Sequence, residues 1–219
     1  MKPKVITCRV MENELRAFMP EDTDFEVLEI SQHNWPNVLR ASLQKAIDAA
    51  DGQFDPILLG YGLCSQSVVG LCARRSRLVV FRSDDCIGLF MGSRQARREF
   101  AYSQPGSYFL THGWIGDGSG SVFDEYARLE KRYGPERART VFKKLLQHYR
   151  QLVYITLPGS ETLDQDRGFT QEKAVRFGLE FVEVEGATEL IRRMAEGVPD
   201  AEILVVPPGE PITLEMMMG

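Results

Sequence analysis

Two apolar segments that each end in a cysteine-bearing turn constrain this chain more than any other feature. Residues 57–59 (ILL) and 78–81 (LVVF) are short apolar runs of the kind that form buried strands. The first run is followed by Gly60-Tyr61-Gly62-Leu63-Cys64, and the second by Arg82-Ser83-Asp84-Asp85-Cys86. The pattern predicts two strands of one sheet, with a thiol just beyond the same end of each strand.

Strand-like and helix-like segments alternate along the rest of the chain. Strands are predicted at residues 4–8, 25–30, 107–111, 152–157, 179–184 and 203–206, and helices at residues 35–50, 122–133 and 135–146. This alternation is typical of α/β proteins, and it predicts a mostly parallel, Rossmann-like sheet with helices on both faces and a site at the strand carboxyl ends. The expected organisation is a single domain, 1–219, or two lobes, a site-bearing lobe at 1–115 and a C-terminal α/β lobe at 150–219, joined by a helical segment at 122–148.

The two cysteine turns are expected to lead into helices, one running through Cys72 and a longer one starting at Ile87. Ser83 or Asp84 is the predicted N-cap of the longer helix. Because the N-terminus of a helix lowers the pKa of a nearby thiol, the pattern predicts that Cys64 and Cys86 ionise readily. Cys72, placed within the first helix, is interpreted as a core residue.

Charge and hydropathy exclude several classes of partner. The net charge of −5 and the pI of about 5.4 do not favour binding to nucleic acid or to an anionic membrane. The N-terminus lacks a signal-peptide core, and no run of apolar residues is long enough to span a bilayer. We therefore expect a cytoplasmic protein, in which four cysteines serve as ligands, reactive thiols or core residues rather than as disulfides.

Three of the four cysteines and two of the three histidines follow predicted strands: Cys8, His33, Cys64, Cys86 and His112. A parallel sheet would bring the ends of these strands to one edge. Three thiolates and one imidazole form a common ligand set for zinc, whereas three thiolates with one iron left open would suit an iron–sulfur cluster. Both His33 and His112 are candidates for the fourth ligand.

Other residues of these turns are candidates for catalysis and ligand binding. Of Asp84 and Asp85, one is expected to cap a helix, which leaves the other as a catalytic carboxylate. His112 is an alternative general acid or base, and Tyr61 with Gly62 would line the bound ligand. The glycine-rich residues 116–121 lack the GxGxxG and Walker spacings, and they predict a lid or linker rather than an anion-binding loop.

Several of these motifs together resemble the prokaryotic domain-of-unknown-function family numbered 1638 (DUF1638). The resemblance rests on Cys8, Gly60-Tyr61-Gly62-Leu63-Cys64, Asp84-Asp85-Cys86-Ile87, Leu89, Gly92-Ser93-Arg94, Pro105-Gly106-Ser107-Tyr108, Gly113-Trp114 and Val205-Val206-Pro207-Pro208-Gly209. It implies that the three thiols belong to a family pattern and that the protein is linked to corrinoid and methyl-transfer metabolism. In that pattern the residue before Gly113-Trp114 is more usually proline, so His112 is a departure, which favours His33 as the fourth ligand.

The leading hypothesis is a metal-dependent enzyme, a transferase or lyase, that acts on a small molecule through a zinc or iron–sulfur centre. Zinc-activated thiol or methyl-group chemistry is its most concrete form, with a corrinoid protein or a methyltransferase as an expected partner. The alternative is a non-catalytic carrier or sensor that binds a metal or corrinoid for a partner enzyme. In a third interpretation the cysteines are simply packed and bind no metal.

Overall fold

The computed structural model describes residues 1–115 and 121–219, and it divides into two compact units. Unit 1 comprises Met1–Arg97 and Ala187–Gly219, and unit 2 comprises Arg98–Gly186. Residues 116–120, which belong to the predicted lid or linker, lie outside the described residues. The C-terminal segment thus joins the N-terminal part of the chain, whereas the lobes expected from the sequence are each continuous in the chain.

The described residues form eight strands: β1 (Lys4–Cys8), β2 (Asp24–Leu28), β3 (Ile57–Gly60), β4 (Leu78–Phe81), β5 (Ser107–Leu110), β6 (Gln151–Thr156), β7 (Glu180–Glu185) and β8 (Ile203–Val206). They also form a 3₁₀ helix (Ile30–Asn34) and ten α-helices: α1 (Arg9–Arg16), α2 (Pro36–Ala50), α3 (Cys86–Phe90), α4 (Arg94–Ser103), α5 (His112–Ile115), α6 (Val122–Tyr133), α7 (Pro135–Leu145), α8 (Leu163–Phe177), α9 (Glu189–Glu196) and α10 (Leu214–Met218).

Unit 1 is built on a five-stranded sheet with the order β2-β1-β3-β4-β8. The first four strands are parallel, and β8 pairs with β4 in the antiparallel direction at the edge. Every residue of β3 and β4 is buried, because central strands of a parallel sheet are covered on both faces and therefore read as continuous apolar runs. This confirms that the two cysteine turns follow neighbouring strands of one sheet.

Unit 2 contains a separate, fully parallel sheet with the order β5-β6-β7. Its core is rich in aromatic rings contributed by helices α6, α7 and α8 and by the strands, among them Phe123, Tyr126, Phe142 and Tyr154. The single sheet expected from the sequence is therefore wrong: the chain is an α/β protein with two sheets, one mostly parallel and one all parallel. Strand β5, which His112 follows, belongs to the second sheet.

Two predicted helices differ from the structure. Residues 64–70 form a series of turns after β3, so the helix through Cys72 is absent. The helix expected from Ile87 is interrupted between α3 and α4, where Gly92 adopts a φ of 80°. The N-cap of α3 is Asp85, whose carboxylate accepts a hydrogen bond from the backbone N–H of Gly88 at 3.2 Å, and not Ser83 or Asp84. Among the described residues, no helix combines the length and the apolar character needed to cross a membrane.

Candidate functional site

The order of strands in unit 1 reverses between β1 and β3. From β1 the chain moves to one side to form β2 and then to the other side to form β3 and β4. In open α/β sheets, ligands bind beyond the strand carboxyl ends at such a switch point. Cys8 is the last residue of β1, and the register that pairs Thr7 with Gly60 sets Cys8 beside the turn that follows β3. The fold therefore places Cys8 and the Cys64 turn at the switch point.

The Cys64 turn is bonded to the turn that follows β4. The backbone N–H of Leu63 donates to the carbonyl of Ser83 at 2.7 Å, and that of Cys64 donates to the carbonyl of Asp84 at 3.1 Å. Gly62 lies so close to this second turn that a Cβ would stand 2.7 Å from the Ser83 carbonyl oxygen. The two cysteine turns therefore form one bonded layer, and glycine at position 62 is what allows their backbones to approach.

The substitution Gly62→Ala is expected to lower the free energy of unfolding by about 1–3 kcal/mol, because the new methyl group meets rigid backbone. The matched control is Gly168→Ala in α8, where an added Cβ meets no atom of the described residues within 4 Å. That change is expected to raise stability by about 0.5–1 kcal/mol, since alanine favours a helix over glycine. Urea denaturation of both variants measures the difference, and equal effects would contradict the packing argument.

Three consecutive residues after β3 adopt left-handed backbone angles: Cys64 (φ 43°), Ser65 (φ 56°) and Gln66 (φ 66°). Such angles cost roughly 1–2 kcal/mol for each residue that has a Cβ. The conformation is held by hydrogen bonds from the backbone N–H and side-chain hydroxyl of Ser67 to the Cys64 carbonyl, at 3.2 and 2.6 Å. The guanidinium of Arg40 also donates to the Gln66 carbonyl at 2.8 Å. Nearby structure thus maintains a strained turn beside a thiol, which is a frequent property of functional sites.

All three thiols resist ionisation, contrary to the expectation from the sequence. Burial raises the pKa of Cys8 to about 12, and burial followed by the charge of Cys8 raises the pKa of Cys64 to about 12. The pKa of Cys86 is raised well above its ordinary value by burial, then by Asp85 and by the other two thiols. Exclusion of water therefore outweighs any effect of a helix N-terminus, and after Cys64 there is no helix. Cys8 raises the pKa of Cys64, and both raise the pKa of Cys86, so the three thiols lie close enough to interact electrostatically.

Tyr61 lies beside these thiols with an unusual hydroxyl group. The residue is 1% exposed, and within residues 1–115 and 121–219 its hydroxyl has no hydrogen-bond partner. The pKa of Tyr61 is raised by burial and then by the charges of Cys8 and Cys64, which locates the phenol near both. A buried hydroxyl without a partner costs about 1–3 kcal/mol, so the Tyr61 hydroxyl is available to donate a hydrogen bond to an acceptor in this site.

His33, in the 3₁₀ helix after β2, stacks on the ring of Tyr61 with the ring centroids 5.9 Å apart. Its Nδ1 lies 3.1 Å from the carbonyl oxygen of Ile30, which can only accept, so Nδ1 carries the proton. Burial lowers the pKa of His33, which favours the neutral imidazole. A neutral ring with Nδ1–H held by a backbone carbonyl keeps its lone pair on Nε2, the arrangement usual for a histidine that binds a metal.

Both candidate carboxylates form ion pairs with arginines near the start of α4. Asp84 accepts from Nε of Arg94 at 3.1 Å, and Asp85 pairs with Arg97 at 3.3 Å in addition to capping α3. A general base at either position would have to leave its arginine. These contacts assign both carboxylates a part in fixing the Cys86 turn. A distinct catalytic role for Asp84 or Asp85 stays a prediction.

His112 follows β5 at the start of α5 and thus belongs to unit 2, so the argument from a common sheet edge does not extend to it. Its Nδ1 lies 2.9 Å from Oδ2 of Asp166, a buried residue of α8 that the sequence does not single out. Asp166 follows Asp164 in the first turn of α8, where acidic residues are expected because they favour the helix dipole. Nothing in the pattern distinguishes the buried aspartate from the exposed one.

Among the described residues, the side chains of Cys8, Cys64, Cys86 and His33 are not arranged as a complete set of metal ligands. In the part of the chain that the structure describes, no group of three or more histidine, cysteine, aspartate or glutamate side chains is arranged to hold a metal ion. Cys72 makes its contacts elsewhere: its backbone N–H donates a hydrogen bond to the side-chain oxygen of Gln44 at 3.1 Å.

The fold and the site together define an α/β protein that brings three cysteines, Cys8 buried and Cys64 and Cys86 partly buried, to the carboxyl ends of neighbouring parallel strands of its first sheet. The model of one protein family, described as "Protein of unknown function (DUF1638)", matches residues 27–195, and the chain belongs to that family. The matched residues include His33, Cys64, Cys86 and His112, whereas Cys8 precedes them. No curated protein and no solved structure matches the chain.

Proposed function

We propose that unit 1 binds one metal centre through Cys8, Cys64, Cys86 and His33, and that the protein uses this centre as an enzyme on a small-molecule substrate. The observation that carries the proposal is the electrostatic coupling of three buried thiols at the switch point of the sheet. Thiolate and imidazole are the ligands that zinc prefers, so zinc is the first candidate. A bound cation would also reverse the unfavourable ionisation of the thiols.

The surrounding residues support this assignment in separate ways. His33 retains a lone pair on Nε2, and the Tyr61 hydroxyl would donate a hydrogen bond to a thiolate or to a bound ligand. Gly62 allows the two cysteine turns to meet. When bound, zinc would supply Lewis acidity and a stabilised thiolate, which suits a transferase or lyase reaction on a thiol or methyl group.

Two further candidates follow from particular observations. An iron–sulfur cluster held by the three thiolates, with one iron left open, is the nearest variant. The ion pairs of Asp84 and Asp85 favour instead a carrier or sensor, because both carboxylates beside the thiols are engaged. Such a carrier would hold a metal or corrinoid for a methyltransferase partner. We also propose that unit 1 is Rossmann-like, with helices on both faces of its sheet. The proposed location is the cytoplasm, which would keep the thiols reduced.

Metal analysis of anaerobically purified protein tests the proposal. The wild-type chain is expected to hold about one zinc ion, or iron with a brown colour, and Cys64→Ser or Cys86→Ser should lose most of that metal. Cys72→Ser is the matched control and should retain it. Equal metal content in all four proteins, or none in the wild type, would exclude the metal site.

A further inference from the structure

Unit 2 contains a polar network that is separate from the thiols and centred on a buried carboxylate. The side chain of Asp166 is 5% exposed, and its Oδ2 lies 2.9 Å from Nδ1 of His112. The same oxygen accepts hydrogen bonds from the hydroxyls of Thr162 at 2.8 Å and Tyr154 at 3.2 Å. Oδ2 of Asp166 is therefore the shared acceptor at the centre of this network.

This network determines which nitrogen of His112 is protonated. Because the carboxylate can only accept, Nδ1 of His112 must donate to it, and the Thr162 hydroxyl oxygen lies 2.9 Å from the same Nδ1. Thr162 already gives its own proton to Asp166, so it too accepts from Nδ1–H. The neutral imidazole therefore keeps its lone pair on Nε2, and the His112 side chain is 30% exposed.

Two polar atoms beside His112 in the chain are buried without a partner. Within the described residues, the Thr111 hydroxyl and the indole N–H of Trp114 have no hydrogen-bond partner. Thr111 itself is fully buried. A buried polar group without a partner is unfavourable, and both of these groups can donate a hydrogen bond to an oxygen. The segment thus combines a histidine held in one tautomer with two donors suited to an oxygen of a bound molecule.

We propose that unit 2 carries a general acid–base site of its own, in which His112 acts on a small ligand that bears an acceptor oxygen and a hydroxyl, a thiol or a bound water. In the base step, Nε2 takes the proton, and the electron pair of the broken O–H or S–H bond stays on the ligand atom. The resulting imidazolium keeps its Nδ1–H bond to the Asp166 carboxylate and then returns the proton from Nε2 to the ligand, which restores the neutral imidazole. His112 is the catalytic residue and Asp166 is its positioning residue. This inference does not depend on a metal in unit 1.

The first test is the tautomer of His112, measured by long-range ¹H–¹⁵N NMR of the full chain. The wild type is expected to hold the proton on Nδ1. In Asp166→Ala, the hydroxyl of Thr162 loses its acceptor and donates to Nδ1 instead, which moves the proton to Nε2. The control is Asp164→Ala, which alters an exposed carboxylate in the same turn of α8 and should leave the tautomer unchanged. A wild-type proton on Nε2 would overturn the proposal, even if Asp166→Ala fails to fold.

The second test uses two small probes. Diethylpyrocarbonate reacts at an imidazole lone pair, so wild-type His112 should be modified at a rate similar to that of the exposed His148, and Asp166→Ala should slow His112 about tenfold or more. With p-nitrophenyl acetate, His112→Ala should lower the protein-catalysed hydrolysis about tenfold or more, whereas His148→Ala should not. Both variants retain every cysteine, so any hydrolysis by the thiols is the same in each. Equal rates in His112→Ala and His148→Ala would show a purely structural network and would refute the acid–base role.

Discussion

Chelator-treated protein is expected to lose folding stability as the pH rises above 9, because its buried thiols ionise only after unfolding. The ordinary pKa of 9.0 for Cys8 is raised to about 12 in the folded chain, chiefly by burial. Below pH 9 both states keep the proton, and the thiol contributes no pH dependence. Between pH 9 and 12 the unfolded chain releases a proton that the folded chain retains. The free energy of unfolding therefore falls by about 1.4 kcal/mol per pH unit for this one thiol.

The measurement is a series of urea denaturation curves at different pH values, followed by far-UV circular dichroism. Cys64 is expected to add a similar slope over the same pH range, since its pKa in the folded chain is also raised to about 12. Cys8→Ser replaces this thiol with a hydroxyl of similar size that does not titrate in this range, and it should flatten the profile. A lowered thiol pKa, as the sequence suggests, would instead make the stability of the chelator-treated protein rise as the pH approaches 9 from below and stay level above it, and that profile would contradict the structure.

Phe142→Ala is expected to lower the free energy of unfolding of unit 2 by about 3–5 kcal/mol, because the change leaves a cavity in its core. Phe142 is fully buried in α7, and its ring centroid lies 5.0 Å from that of Tyr126 and 4.5 Å from that of Phe177. Aromatic pairs of this kind add to the effect of burial alone. The cost is a large share of the stability of a typical domain.

The tryptophans make this prediction measurable. The chain has two, of which Trp114 lies in unit 2, so a Trp35→Phe background lets Trp114 fluorescence report on that unit alone. Val141→Ala is the control, since the neighbouring Val141 is 46% exposed. It is expected to change stability by no more than about 0.5 kcal/mol. If both variants unfold at the same urea concentration, Phe142 is not the centre of the unit 2 core.

Periodicity alone predicted several elements with their boundaries. Strands β1 and β8 lie where the pattern placed them, and helix α2 begins one residue later than expected, at Pro36. Gly134 separates α6 from α7 as predicted, because glycine there takes a φ of 82° and ends the first helix. These features depend on residues close together in the chain. The local sequence therefore contains enough information to specify them.

The errors at the site arise from contacts between distant residues. The segment after Cys64 has helical composition, but bonds to the Asp84 carbonyl and to Arg40 hold it in a left-handed turn. Periodicity also cannot predict which strands share a sheet, since β5 has the same apolar character as a strand of the first sheet but belongs to the second. Asp166 was missed for the same reason: its role depends on His112, 54 residues earlier in the chain.

The sequence by itself determined that this is an α/β chain in which Cys64 and Cys86 follow neighbouring strands, because both features depend on short apolar runs and the turns that end them. Only the tertiary structure decided that His112 belongs to unit 2 and pairs with Asp166, and that the thiols resist ionisation. Strand partners and the exclusion of water are set by residues far apart in the chain. No local pattern can encode the free energy of burying a thiol.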